Sequence, residues 1–315
     1  MRVVVVLAVV ALPLIIGAIL LAVLSRRPDP APSEAAAAAR RHSATVNGLA
    51  LTALFGSMVA GLSALSVPPA DLTRGVLLGL IPAAAGIAFA AVQAIGELTW
   101  PRPTGTLRRA PLTRRTAADV APRWLRRVTW SSAALVVATL VACGSASDDG
   151  RGITRSYTAM AAGSEISGSS GAGPFPGWFY GIPLLIATVL VLLVTEGVLQ
   201  LIARRPAVMD AASEWDLELR RTSARRLLRG SQLVLGWTAV GVLFIAGTAI
   251  RGVGSGGASV DGIPVGGSTG LVVVGAVIAL MAGAVWLAST AVLFVPGRPV
   301  TAATTDEHGQ RVRFA

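Results

Sequence analysis

Long apolar runs alternate along the chain with polar stretches of two kinds. Seven runs, near residues 3–24, 47–66, 75–97, 128–143, 178–203, 232–249 and 271–295, come close to the ~20 residues a helix needs to cross a bilayer. The fourth is the shortest. The polar stretches are either rich in arginine or rich in glycine and serine, and the two kinds take turns. The pattern predicts an all-α integral membrane protein of seven transmembrane helices in one domain, residues 1–315. A lone first helix would be followed by three helical hairpins.

Arginine sets the expected orientation. With the N-terminus outside, the inner segments 25–46, 98–127, 204–230 and 296–315 hold 22 arginines and the outer segments hold 5. Cytoplasmic loops collect positive charge, so the reading is N-out/C-in. Arg26 and Arg27 follow the first run rather than precede it, which suits an uncleaved anchor rather than a signal peptide. The outer loops 144–177 and 250–270 read as flexible, with room for short hairpins. Of the Arg-rich inner loops 98–127 and 204–230, the second contains "SEWDLELRRTSARRLLRG". Its acids come first and its arginines last, which suits a helix dipole, and Asp216 with Arg220 makes an i,i+4 pair. Trp215 and Leu219 share a face, as a helix lying on the membrane surface needs.

The inner segments also carry a weak repeat. "RRTAADVAPRWLRRVTW" and "RRTSARRLLRGSQLVLGW" each lead into a span. Two return helices enter with Ile-Pro, at Pro82 and Pro183, and leave with Arg-Pro. Parallel repeats about an axis along the membrane normal would give this.

Composition supports the class and removes alternatives. Charged residues are 14% of the 315, where soluble domains carry about 25%. All 27 basic residues are arginine, which excludes a retinal Schiff base or a lysine nucleophile. With much Ala, Val and Gly, that usage points to a bacterial genome and an inner-membrane location. The single cysteine, Cys143, excludes an internal disulfide. The basic pI follows from arginine in the inner loops, so nucleic acid is not an expected partner. The expected partners are a bilayer with anionic lipids at its inner surface, and a membrane protein or a second copy.

Two carboxylates fall in or beside the apolar runs, each four residues from an amide and so on one helix face: Gln93 with Glu97, and Glu196 with Gln200. Glu97 lies five residues before Arg102, ~8 Å along a helix axis; Glu196 lies eight before Arg204, ~12 Å. These four residues form the candidate intramembrane polar site. As a coupling site, Glu196 would take up a proton or cation and face the bundle. As an anchor or helix–helix contact, it would pair with a neighbouring arginine, and Glu196→Gln would leave stability level or raised. The anchor reading is preferred, because Glu196 is shallow and no deeper charge continues a relay.

Other features read as structural. "LVACGS" has the shape of a lipobox, but it is internal and reads as a plain helix end. Small residues four apart (Gly56, Ala60, Ala64; Gly86, Ala90, Ala94; Gly275, Ala279, Gly283) predict close helix packing. Trp178, Phe179 and Tyr180 read as an outer aromatic belt, with Trp100 and Trp124 on the inner side. "DDG" at 148–150 lacks the later ligands of a calcium loop. No catalytic, metal or cofactor constellation is found. The leading expectation is a non-enzymatic accessory or signalling subunit that acts through partners. The alternative is a small permease coupled through Glu196.

Overall fold

The computed structural model describes residues 33–64, 73–100, 115–161, 164–208, 212–260 and 263–295. The first apolar run, 3–24, lies outside the described residues. The elements in order are α1 (Glu34–Ala64), α2 (Thr73–Leu98), the single turn α3 (Ala117–Val120), α4 (Arg123–Ala146), β1 (Ile153–Ala161), β2 (Ser164–Ala172), α5 (Trp178–Arg204), α6 (Ser213–Ser255), β3 (Ala258–Val260), β4 (Ile263–Val265) and α7 (Thr269–Phe294). Among the described residues, α1, α2, α4, α5, α6 and α7 are long and apolar enough to cross a membrane.

Three helices outrun their apolar runs, because backbone hydrogen bonding does not stop where hydropathy does. Helix α1 begins at Glu34, not near 47. Its first turns are mostly alanine, the best helix former, and Ser33 Oγ accepts the Ala36 N–H at 3.1 Å, an N-cap contact. Helix α4 starts at Arg123 rather than 128. The surface helix expected around Trp215 is not separate, because α6 runs unbroken for 43 residues. That is ~64 Å at 1.5 Å per residue, about twice the hydrocarbon thickness. No proline interrupts it, and Gly230, which looks like a stop, is a close approach: a Cβ there would collide with the Phe89 ring. Trp215 and Leu219 accordingly do not face lipid. They pack with Ala39 of α1 and Trp100, and Arg40 lies 5.7 Å over the Trp215 ring. Pro82 also stands deeper than expected, in the tenth position of α2.

Helix α6 is the hub. It packs on α2, α3, α4, α5 and α7 and touches α1. The hairpins α1/α2 and α6/α7 are tight pairs, but α4 lies more against α6, and α5 more against α2, than against each other. The small-residue stripes divide in the same way. Gly86 lets Val234 approach to 2.8 Å of where its Cβ would be, and Gly247 lets the Ala279 amide approach to 2.6 Å. Gly56, Ala60 and Ala64 face outward, with nothing within 4 Å of a Cβ at Gly56.

The two ends of the bundle differ. At one end, the Gly/Ser-rich segments form antiparallel hairpins rather than open loops. β1 pairs with β2 from Ile153↔Ala172 to Ala161↔Ser164, and β3 pairs with β4. An isolated two-stranded hairpin is marginal in water. This one is tied down: Ser170 Oγ donates to Val253 O of α6 at 3.1 Å, and Tyr157 packs over Gly168 and Gly266. Asp149 Oδ1 accepts the N–H groups of Arg151 and Gly152 at 2.8 and 2.7 Å. The "DDG" stretch is thus a turn. The other end carries the arginines.

Candidate functional site

At the arginine-rich end, the two carboxylates of the expected intramembrane site, Glu196 and Glu97, each meet a guanidinium. Glu196, on α5, is gripped by α4. Arg126 Nε donates to Oε1 and Nη2 to Oε2, both at 2.9 Å, and Trp130 Nε1 donates to Oε1 at 3.0 Å. A two-point fork of this kind is the stronger class of ion pair. The two side chains are 37% and 24% exposed, so the pair lies on the outer surface between α4 and α5 rather than facing the bundle interior. Gln200, one turn on, is half-buried.

Glu97 belongs to a second, deeper cluster. Arg205, just past the end of α5, is fully buried against it, with Nη1 3.4 Å from each carboxylate oxygen. The Arg205 guanidinium lies 3.9 Å over Trp100. His42 of α1 meets the Trp100 ring edge-on, with the ring centroids 5.4 Å apart. His42 Nε2 lies 2.9 Å from Gly96 O; the carbonyl can only accept, so Nε2 carries the hydrogen. Trp100 is therefore a 5%-exposed core residue, not a belt residue, and Tyr180 is buried as well. Trp124 and Trp178 remain exposed, as a belt requires, and Trp130 joins them. Gln93, on the Glu97 face, donates to Asn47 Oδ1 at 3.5 Å.

A third arginine closes the end of α5. Arg220 donates to Ile202 O, Ala203 O and Arg205 O at 3.0, 2.9 and 2.8 Å, and through Nε to Asp216 Oδ2 at 2.8 Å. The last carbonyls of a helix have no partner within it, and a cation there also meets the negative end of the dipole. The i,i+4 pair with Asp216 is as the spacing predicts, but its use as a cap of another helix is not written in the spacing. Arg115 shares the same Asp216 oxygen at 3.1 Å. Beside it, the Asp119 carboxyl is held below its ordinary range by the backbone N–H and then the hydroxyl of Thr116, at 2.7 and 2.8 Å.

The four expected site residues thus divide between two places. Gln93 and Glu97 line one small cavity with His42, Ser43, Trp100 and Arg226; at about 10 Å³, it has room for about one water. Glu196 and Gln200 lie on another face. No group of three metal-ligating side chains occurs among the described residues. Cys143, in the lipobox-like stretch, is buried with Phe175, Ala246 and Ala249.

Six long apolar helices among the described residues, closed at one end by buried arginines, mark a multi-pass helical membrane protein. No family model, curated protein or solved structure matches the chain.

Proposed function

We propose that the chain is a non-enzymatic accessory or signalling subunit of a bacterial inner membrane, inserted N-out/C-in and acting through membrane partners. The observation that carries this reading is the state of the two membrane carboxylates. Each is tied to an arginine of a neighbouring segment. A carboxylate serving a permeation path needs an approach for its ion and a face toward the bundle. Glu196 faces outward, and the cavity beside Glu97 has space for about one water. The orientation rests on the division of arginines, and the bacterial inner membrane on the use of arginine without lysine.

The test is gentle extraction and co-purification of the full chain. A stoichiometric membrane protein, or a second copy, should come with it. Proton or cation flux in proteoliposomes of the chain alone, lost in Glu196→Gln with the fold intact, would instead make it a permease coupled through Glu196. Cysteine labelling at introduced sites tests the orientation: 160 should react from outside and 112 only after permeabilisation.

A further inference from the structure

The outward face between α4 and α5 presents more positive charge than the ion pair needs. Arg123 and Arg127 are exposed on the first turns of α4, and Arg204 is exposed at the end of α5. None of the three has a partner among the described residues. Arg204 lies eight residues after Glu196 and Gln200 four after it, so all three share one stripe of α5. Arg123 and Arg127 lie by spacing on the Arg126 and Trp130 side of α4, so with Arg126 four arginines stand on this side of α4 and α5 against the one carboxylate of Glu196. Asp119, the next carboxylate along the chain, is turned to Thr116.

Arg126 is oriented as well as charged. Glu196 occupies its Nε and Nη2, which leaves the Nη1 edge unused. Trp124 and Trp130 flank the group at 43% and 48% exposure, on the face that an apolar spanning helix turns to lipid. Indole rings of this kind settle at headgroup depth. A guanidinium fork matches the geometry of a phosphate oxygen pair. We propose that this face binds the phosphate of an anionic phospholipid, with Arg123, Arg127 and Arg204 supplying charge and Arg126 held by Glu196 as the oriented donor. The ligand chemistry is a phosphodiester anion with no compensating cation in its headgroup. The bilayer is its source, because the flanking tryptophans and the surrounding apolar surface suit acyl chains and not an aqueous ion. Assigning that lipid to the inner leaflet rests on the proposed orientation.

The experiment uses the full chain in a mild neutral detergent and reads the unfolding temperature with added lipid. A ligand that binds only the folded state raises that temperature. Phosphatidylglycerol should stabilise the wild type by several degrees, and phosphatidylcholine should not. The triple variant Arg123→Gln/Arg127→Gln/Arg204→Gln alters only exposed side chains, so it should unfold normally without lipid and lose more than about half of the phosphatidylglycerol shift. Arg41→Gln, exposed on α1, which packs chiefly on α2, should keep the shift. The proposal is overturned by an undiminished shift in the triple variant, an equal loss in Arg41→Gln, or no shift in the wild type. An equal shift with phosphatidylcholine would remove the headgroup charge from the account, and an equal shift with inorganic phosphate would make the ligand a soluble anion. None of these outcomes depends on orientation in the cell. A reversed labelling pattern at 112 and 160 with the lipid shift intact would therefore refute the topology and leave the site standing.

Discussion

The two ends of the bundle meet the same requirement with different chemistry. Where a helix leaves the membrane, its last backbone groups need partners. At the hairpin end backbone groups supply several: the Ser268 N–H donates to Gly254 O of α6 at 2.7 Å, and the Phe179 N–H of α5 donates to Gly150 O at 3.1 Å. β1 and β2 pair along their length, Asp149 closes a turn, and glycines such as Gly247 let α6 and α7 approach closely. At the other end side chains supply them. Arg220 covers the final carbonyls of α5, and Arg205 and Arg126 each hold a carboxylate. The arginine end therefore depends on a few charged atoms, and the hairpin end on many small contacts. Single substitutions should expose that difference.

The largest effect is expected at Arg220. Arg220→Ala strips three carbonyls of their donor and leaves Asp216 nearly buried with only Arg115. Removing one partner of a buried pair costs about 3–5 kcal/mol, to be read as a loss of unfolding free energy in detergent. At the hairpin end, Gly247→Val should cost about 1–3 kcal/mol through overpacking, because even a Cβ would lie 2.6 Å from the Ala279 amide nitrogen. If Gly247→Val proved the more damaging, the contrast between the ends would fail.

Glu196→Gln comes next. The Arg126 fork reverses the sign expected from burial cost alone: the amide offers one acceptor where the carboxylate offers two. A partly exposed pair is worth about 1 kcal/mol or less, so a small loss of stability replaces the small gain that an unpaired carboxylate would give.

The smallest effect is a pH dependence at the hairpin end. Hydrogen bonds from the Arg151 and Gly152 amides hold the Asp149 carboxyl below its ordinary range. Its contribution is therefore complete above the unfolded-state value and is lost as the pH falls through the folded one. Amide exchange at Arg151 and Gly152 should quicken on acidification. In Asp149→Asn, that acceleration should disappear.

Much of the architecture was legible because lipid and hydrogen bonding impose simple patterns. The six described spans lie where the apolar runs lie, and the opposed ends follow from the alternation of arginine with glycine and serine. Helix lengths were not legible in hydropathy: residues 34–46 and 213–231 are helical but interspersed with acids and arginines, and a window that detects lipid burial passes over them. The candidate site was half legible. Spacing placed Glu97 with Gln93 and Glu196 with Gln200, and it paired Asp216 with Arg220. The partners 70 and 108 residues away, Arg126 for Glu196 and Arg205 for Glu97, depend on how helices stack. The recurring Arg-Pro at span exits was the one local signal that pointed toward Arg205. Trp100 resembled a belt residue because no sequence pattern shows His42 and Arg205 closing over it.

The central claim is that the membrane carboxylates are structural clamps, and the Arg126–Glu196 pair tests it most directly. A double-mutant cycle of Arg126→Gln, Glu196→Gln and the combined variant, read as unfolding free energy of the full chain in detergent, isolates the pair. The account predicts that the two losses overlap, with a favourable coupling approaching about 1 kcal/mol. Losses that simply add, within about 0.3–0.5 kcal/mol, would mean that Glu196 does not depend on Arg126 and would contradict it.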